Sequence, residues 1–184
     1  MKKNSKIHDK NYFIDDTCVV SKKSKIYPGV VIEKNCKIGD NVTIQNSSLI
    51  SNNVTIGNNC FIGPFSVIRE NTVIKENVIV GPHCEITRSI IDEESKISHR
   101  TYIGDAKIGK SVFFGCGSVI ANTNFKDRFK TKIGSQTKIG ASTTLISPIT
   151  IGKNCFVAAG TILSKNLKDN TKIRMKLDYL LIKN

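Results

Sequence analysis

The chain of 184 residues has no tryptophan, only 2 methionines and 4 prolines, and 7% aromatic residues. Lysine, asparagine and isoleucine are abundant instead, the composition expected of AT-rich coding sequence. Acidic side chains are also scarce: 15 Asp and Glu against 28 Lys and Arg leave a net charge of +13. These cations are scattered along the chain with no aromatic platform beside them, so a nucleic-acid partner is not expected. No apolar run approaches the ~18 residues of a membrane span, and Met1 to Lys10 is polar and basic with no apolar signal region, so no membrane association is expected and a cytoplasmic location is. Six cysteines include no C-x-x-C pair, and the three histidines do not cluster, so neither a redox framework nor a metal centre is expected. The apolar share of 39% is that of an ordinary globular domain, and Ile and Val recur along the whole length.

That recurrence has a period. From Ile14 to Ile86 an aliphatic residue falls at every sixth position: Ile14, Val20, Ile26, Ile32, Ile38, Ile44, Ile50, Ile56, Ile62, Ile68, Ile74, Val80, Ile86. The phase slips to Ile91, Ile97 and Ile103, slips again to Ile108, Phe114 and Ile120, and resumes at Ile133 through Leu163. Six matches neither the helical 3.6 nor the strand period of 2, but it suits a β-solenoid in which each hexapeptide supplies one short strand and a turn. Three hexapeptides make a triangular coil, so the span from Ile14 to Leu163 predicts an all-β parallel β-helix of roughly eight coils, about 40 Å tall. Glycine often follows the aliphatic residue, as in Ile38-Gly39 and Ile133-Gly134, and suits a corner of positive φ. Cys18, Cys36, Cys60, Cys84 and Cys155 each stand two positions before an aliphatic, in a column otherwise of Val, Ser and Thr, and are expected to be small packing residues. Cys116 stands outside that column.

Function is expected where the period fails. The two slips flank Ser98 to Ala106, and the interruption between Ile120 and Ile133 is polar and predicts a loop protruding near 122 to 132. The chain therefore divides into a lead-in (1–13), a solenoid (14–165) and a C-terminal segment (166–184). In the last, Ile173, Leu177, Leu180 and Leu181 have helical spacing and predict a short helix capping the solenoid.

Within this frame the chain resembles the acetyltransferase domain of the bacterial bifunctional glucosamine-1-phosphate acetyltransferase / N-acetylglucosamine-1-phosphate uridylyltransferase. The resemblance rests on Ile62-Gly63-Pro64-Phe65 with Arg69, on His99-x-Thr101-Tyr102-x-Gly104-Asp105-Ala106, on Gly115-x-Gly117, on Asn122, and on Ala158-Ala159-Gly160-Thr161. It covers about residues 14 to 165 in one colinear register. It implies a left-handed helix, which the period alone does not give, and acetyl transfer from acetyl-CoA to an amino or hydroxyl group of a sugar phosphate or nucleotide sugar, without a metal. No Gly-rich nucleotide loop opens the chain, so nucleotidyl transfer is not expected of it.

By the same resemblance His99 is the general base, an imidazole being suited to take the acceptor's proton near neutral pH. Glu85 is the carboxylate that orients it. Arg69, Arg88, Tyr102 and Asn122 are acceptor-binding residues, and Cys116, Ala141, Ala159, Arg128 and Lys176 line the acetyl-CoA channel. Backbone N–H groups around Gly115 to Gly117 are candidates for receiving the developing oxyanion. The family's acceptor lysine is replaced by Thr87, with Arg88 beside it, and an acceptor-contacting asparagine is replaced by Phe113. The family also implies a homotrimer with the donor site between prisms. The altered acceptor positions leave open a second reading, a non-catalytic scaffold or interaction protein.

Overall fold

The computed structural model describes residues 11–176. These form 26 strands of two or three residues. They lie in three parallel sheets of nine, eight and nine strands, and neighbours within a sheet are three strands apart in sequence. Each set of three successive strands is thus one turn of a prism with three faces. The first face runs from Phe13–Ile14 to Ile162–Leu163, the second from Val19–Val20 to Ile149–Ile151, and the third from Lys25–Ile26 to Lys172–Ile173. The architecture is the left-handed parallel β-helix, all-β throughout.

Register follows from the hexapeptide. Ile14 pairs with Ile32 and Ile32 with Ile50, each partner standing three hexapeptides further along the chain. After the first slip the coil is shorter by a single position, and Ile86 pairs with Ile103. All the periodic aliphatics from Ile32 to Leu163 are buried, while Ile14, Val20 and Ile26 of the first coil are partly buried. The column two positions earlier is also interior. Cys36, Cys60, Cys84 and Cys155 are buried there, and the Cys60 thiol donates to the Lys75 carbonyl (2.8 Å) as the Ser48 hydroxyl does to that of Gly63 (2.9 Å). Burial pushes the Cys36 and Cys60 thiols up to about 11, so they stay protonated near neutral pH.

Three expectations change. The solenoid has nine coils, because it continues beyond Leu163. Leu167 bridges to Ile151 and takes the ninth place on the second face, and Lys172–Ile173 pairs with Phe156–Val157. Ile173 therefore belongs to the inward column, and the helix expected from its spacing is not formed over 172–176; the rest of that segment, with Leu177, Leu180 and Leu181, lies outside the described residues. The third change concerns the corners. Positive φ occurs three residues before the inward aliphatic, and the commonest residue there is asparagine, as at Asn35, Asn41, Asn53, Asn59, Asn71, Asn77, Asn154 and Asn170. Asparagine tolerates the left-handed region, and here its amide also bonds along the stack, from Asn41 to Asn59 (3.2 Å) and from Asn154 to Asn170 (2.8 Å).

The glycines that follow the aliphatics serve close approach instead. A Cβ on Gly134 would sit 2.6 Å from the backbone of Gly152 and Lys153 in the next coil. Gly160, by contrast, has φ +72 and nothing within 4 Å of its Cβ position. Gly134→Ala should therefore cost about 1–3 kcal/mol through overpacking, whereas Gly160→Asn, which takes the residue preferred at equivalent corners, should stay within about 1 kcal/mol. Urea titrations of the two variants test this; equal losses would refute the distinction.

Candidate active site

Two corners flank the first face, and the candidate residues divide between them. At the corner entering that face, one position recurs coil after coil as Pro64, Pro82, His99, Cys116, Ala141 and Ala159. The stacking is fixed by the residue that follows each: Arg100 N donates to Pro82 O (3.0 Å), Gly117 N to His99 O (3.0 Å), Ser142 N to Cys116 O (2.8 Å) and Gly160 N to Ala141 O (2.8 Å). His99 and Ala159 are exposed, and Cys116 and Ala141 half-buried. Ala158 N donates to Ile173 O (2.9 Å), so the chain after Ile173 enters the same corner one coil beyond Ala159, and exposed Lys176 lies at that end. The fold thus lines up His99 with Cys116, Ala141, Ala159 and the segment bearing Lys176.

At this position the backbone N–H has no backbone acceptor among the described residues. Proline in the two coils before His99 is consistent with that, since the missing donor has no partner to lose. From His99 onward the donors are present, and those of Cys116, Ala141 and Ala159 meet no acceptor among the described residues. Gly115 N and Gly117 N, by contrast, are bonded to Ile139 O (2.7 Å) and His99 O (3.0 Å). Of the Gly115–Gly117 segment, only the Cys116 N–H remains as an oxyanion donor. Gly115 and Gly140 make the row possible: a Cβ on either would run into Ala141 or Ala159 of the coil above.

The corner leaving the first face is charged. Arg88 donates to both oxygens of Asp105 (2.7 and 3.0 Å) and to Glu70 (3.1 Å). Asp105 also accepts from the Asn122 amide, and the Tyr102 hydroxyl donates to Asn122 Oδ1 (3.4 Å). Asn122 is buried, its carbonyl accepts from Phe129 N (2.8 Å), and Asp105 O accepts from Thr131 N (3.2 Å), so this network fastens both ends of the 122–130 loop. Arg128 is exposed on the loop, whose Phe125 is wholly exposed. The Arg88 guanidinium, then the Asn122 amide and the Arg128 charge, hold the Asp105 carboxyl below its ordinary 3.8 against the opposing effect of burial. Arg69 reaches Glu85 (2.9 Å) and Glu70 (3.4 Å).

Glu85 and Tyr102 lie between the corners, directly paired on adjacent strands. Glu85 engages Arg69, and no hydrogen bond joins it to His99 among the described residues. Arg88 is likewise committed to Asp105 and Glu70. Sequence reasoning missed the roles of Glu70 and Asp105. The signal was there: Glu70 stands one full coil before Arg88, and Asp105 one shortened coil after it.

Two family models match the chain: residues 53–88 and 130–165 fit the bacterial transferase hexapeptide (six repeats), and residues 8–63 fit the GMPPB C-terminal domain. Within residues 53–88 and 130–165 the chain thus matches a hexapeptide-repeat model. Over 87 residues, 47% of this chain and 19% of the relative, it is 42% identical to the bifunctional protein GlmU of Clostridium acetobutylicum. Over 85 residues, 46% of this chain and 19% of the relative, it is 45% identical to that of Clostridium beijerinckii. The match thus spans about a fifth of the length of these curated relatives. The hexapeptide solenoid is shared with solved structures at lower identity. A UDP-N-acetylglucosamine acyltransferase from Campylobacter jejuni superposes with a TM-score of 0.64 at 19% identity over 84% of this chain and 68% of its own. The polysialic acid O-acetyltransferase OatWY does so with a TM-score of 0.58 at 20% identity over 94% of this chain and 92% of its own. Among the described residues no helix is long and apolar enough to cross a membrane.

The Asp105 network makes a quantitative prediction. Asp105→Asn keeps a residue that accepts φ +50 but removes the charge on which Arg88 and Asn122 converge. It should lower stability at pH 7 by about 1–3 kcal/mol, the worth of charge-assisted hydrogen bonds. Because the folded carboxyl lies below its unfolded value, its contribution is present above that value and is lost as pH falls through the folded one. The deficit of the variant, measured by urea titration, should therefore shrink on going from pH 7 to pH 3. A constant deficit would show that charge is not the cause.

Proposed function

We propose that the chain is an acyltransferase that moves an acetyl group from acetyl-CoA to an amino or hydroxyl group of a sugar phosphate or nucleotide sugar, with His99 as general base. The observation carrying this reading is the row at one corner, where an exposed imidazole is followed, coil by coil, by the unpaired N–H groups of Cys116, Ala141 and Ala159. Successive strands are ~4.8 Å apart, so the row from His99 to Ala159 spans about 14 Å. An extended thiol arm bearing amide carbonyls fits such a line of donors. Its thioester end lies at Cys116 and its phosphates toward Lys176; Arg128, on the loop at the other corner of the face, lies off this row.

The acceptor heteroatom attacks the thioester carbonyl while His99 removes its proton. The carbonyl oxygen gains the negative charge within reach of the Cys116 N–H, which acts in a groove where such a donor is worth most. Collapse of the tetrahedral adduct breaks the carbon–sulfur bond, and the proton held by the imidazole is available to the departing thiolate. Tyr102 faces the acceptor with the buried Asn122 behind its hydroxyl, and Arg69, oriented by Glu85, receives its anionic group. Arg88 serves the loop, not the acceptor. GlmU relatives and the acyltransferase folds support this chemistry. A second copy of the prism closes the groove, and the assembly is a homotrimer.

Incubation with acetyl-CoA and a panel of amino sugars, sugar phosphates and nucleotide sugars, read by thiol release, tests the reading. His99→Ala should lower kcat by about 10²- to 10⁴-fold with acetyl-CoA binding unchanged. Arg69→Ala should chiefly raise KM for a phosphorylated acceptor. Full turnover by His99→Ala would remove the proposed base. Sedimentation at micromolar concentration should give a trimer; a monomer would count against the shared groove.

A further inference from the structure

Beside the Arg88–Asp105 pair, but on the second face, a cleft is lined by Arg88, Ile90, Asp105, Lys107, Lys130 and Lys132. Lys107 and Lys132 are direct partners on adjacent parallel strands, both pointing outward, and Lys130 enters from the end of the 122–130 loop. All three are exposed, and none is in an ion pair among the described residues. The acidic groups nearby are engaged: Asp105 holds Arg88, and Asp92 holds Lys75 (3.0 Å) while lying close enough to Lys107 to feel its charge. Like charges directly opposite on neighbouring strands destabilise a sheet. Three ammonium groups without an ion-pair partner among the described residues therefore line one concave site whose carboxylate, Asp105, is held by Arg88.

We propose that this cleft is a phosphoryl-anion site, in which Lys107, Lys130 and Lys132 hold the phosphate or diphosphate of a small molecule. The inference goes beyond the acyl-transfer reading and does not depend on it. A tetrahedral anion carrying two or more charges matches the three donors, whereas a carboxylate offers one charge in a plane. Lysine is suited to this task as a mobile point charge, and the shallow groove leaves the rest of the ligand outside. The site shares its corner with Asn122 and the loop, so an anion held by Lys130 also bears on how that loop sits.

The test begins with calorimetry of inorganic pyrophosphate and inorganic phosphate at constant ionic strength set with chloride. Saturable binding at one site per chain is expected, weakened at least tenfold in the double variant Lys107→Gln/Lys132→Gln. The same variant should melt no lower than the parent without phosphate, because a repulsion is removed, and should lose the rise in Tm that pyrophosphate gives the parent. Equal affinity in parent and variant, or a melting temperature that drops in the variant without ligand, would overturn the proposal. Binding needs no turnover, so a positive result stands even if His99→Ala shows the acyl-transfer reading to be wrong. Competition by pyrophosphate against the acceptor would assign the phosphate to the acceptor, and competition against acetyl-CoA would assign it to the donor.

Discussion

Parallel coils stacked ~4.8 Å apart leave no room for variation along the inward column, and everything else in the molecule is arranged around that spacing. Each Ile or Val must return directly over its predecessor, as Ile32 does over Ile14 and Ile50 over Ile32. The interior is consequently filled by aliphatic groups, one phenylalanine at Phe114, and small residues most of whose hydroxyls and thiols reach a carbonyl of a neighbouring coil, the Thr72 hydroxyl being an exception. The same spacing dictates the corners. A residue with Cβ is excluded at Gly134 by the backbone above it, and where asparagines stack at the left-handed position, as at Asn41 and Asn59, the amide of one bonds to the next.

Chemistry enters where this regularity is relaxed. The two shortened coils each lose a residue at the corner leaving the first face, and the single left-handed residues that remain there are Arg88 and Asp105. Their ion pair, held at 2.7 Å, lies across the two shortened corners and gives the inserted loop its anchor through Asn122. At the opposite edge of the face the coil keeps its shape, yet the N–H groups of Cys116, Ala141 and Ala159 have no acceptor among the described residues. One edge is thus a rigid polar clamp and the other a row of backbone donors, with Glu85 and Tyr102 between them.

The inward column was legible in the sequence because a six-residue period has no competing explanation, and so were the burial of four cysteines and the loop after Ala121. Legibility ended where a local pattern mimicked another structure. Leu163 to Leu167 is a step of four, so the ninth coil escaped the count, and the spacing of Ile173 to Leu177 imitates a helix although Ile173 pairs with Val157. The glycines were misread because a sequence shows that a residue is small without showing whether φ or a neighbouring coil demands it. His99, Cys116, Ala141 and Ala159 share one edge because each holds the same place in its own coil, which the aliphatic register already determines. Glu85 and Arg88 each have an ionic partner that the sequence reading did not assign, Arg69 for the one and Asp105 with Glu70 for the other. The juxtaposition of Lys107 and Lys132 was hidden by the loop, which makes the coil between them longer than any other.

The triangular cross-section also restricts how such a chain can change in length. An insertion of one hexapeptide would leave every inward aliphatic in phase and every corner intact, and the prism would remain sound. It would nevertheless rotate all later side chains by a third of a turn, carrying Cys116 or Ala159 to a different edge from His99. Only whole coils can be gained or lost between them, so tolerance of the fold and tolerance of the site obey different arithmetic. The 122–130 loop avoids this restriction by leaving the stack and returning to it at the same corner, so its length can vary without turning the molecule about its own axis.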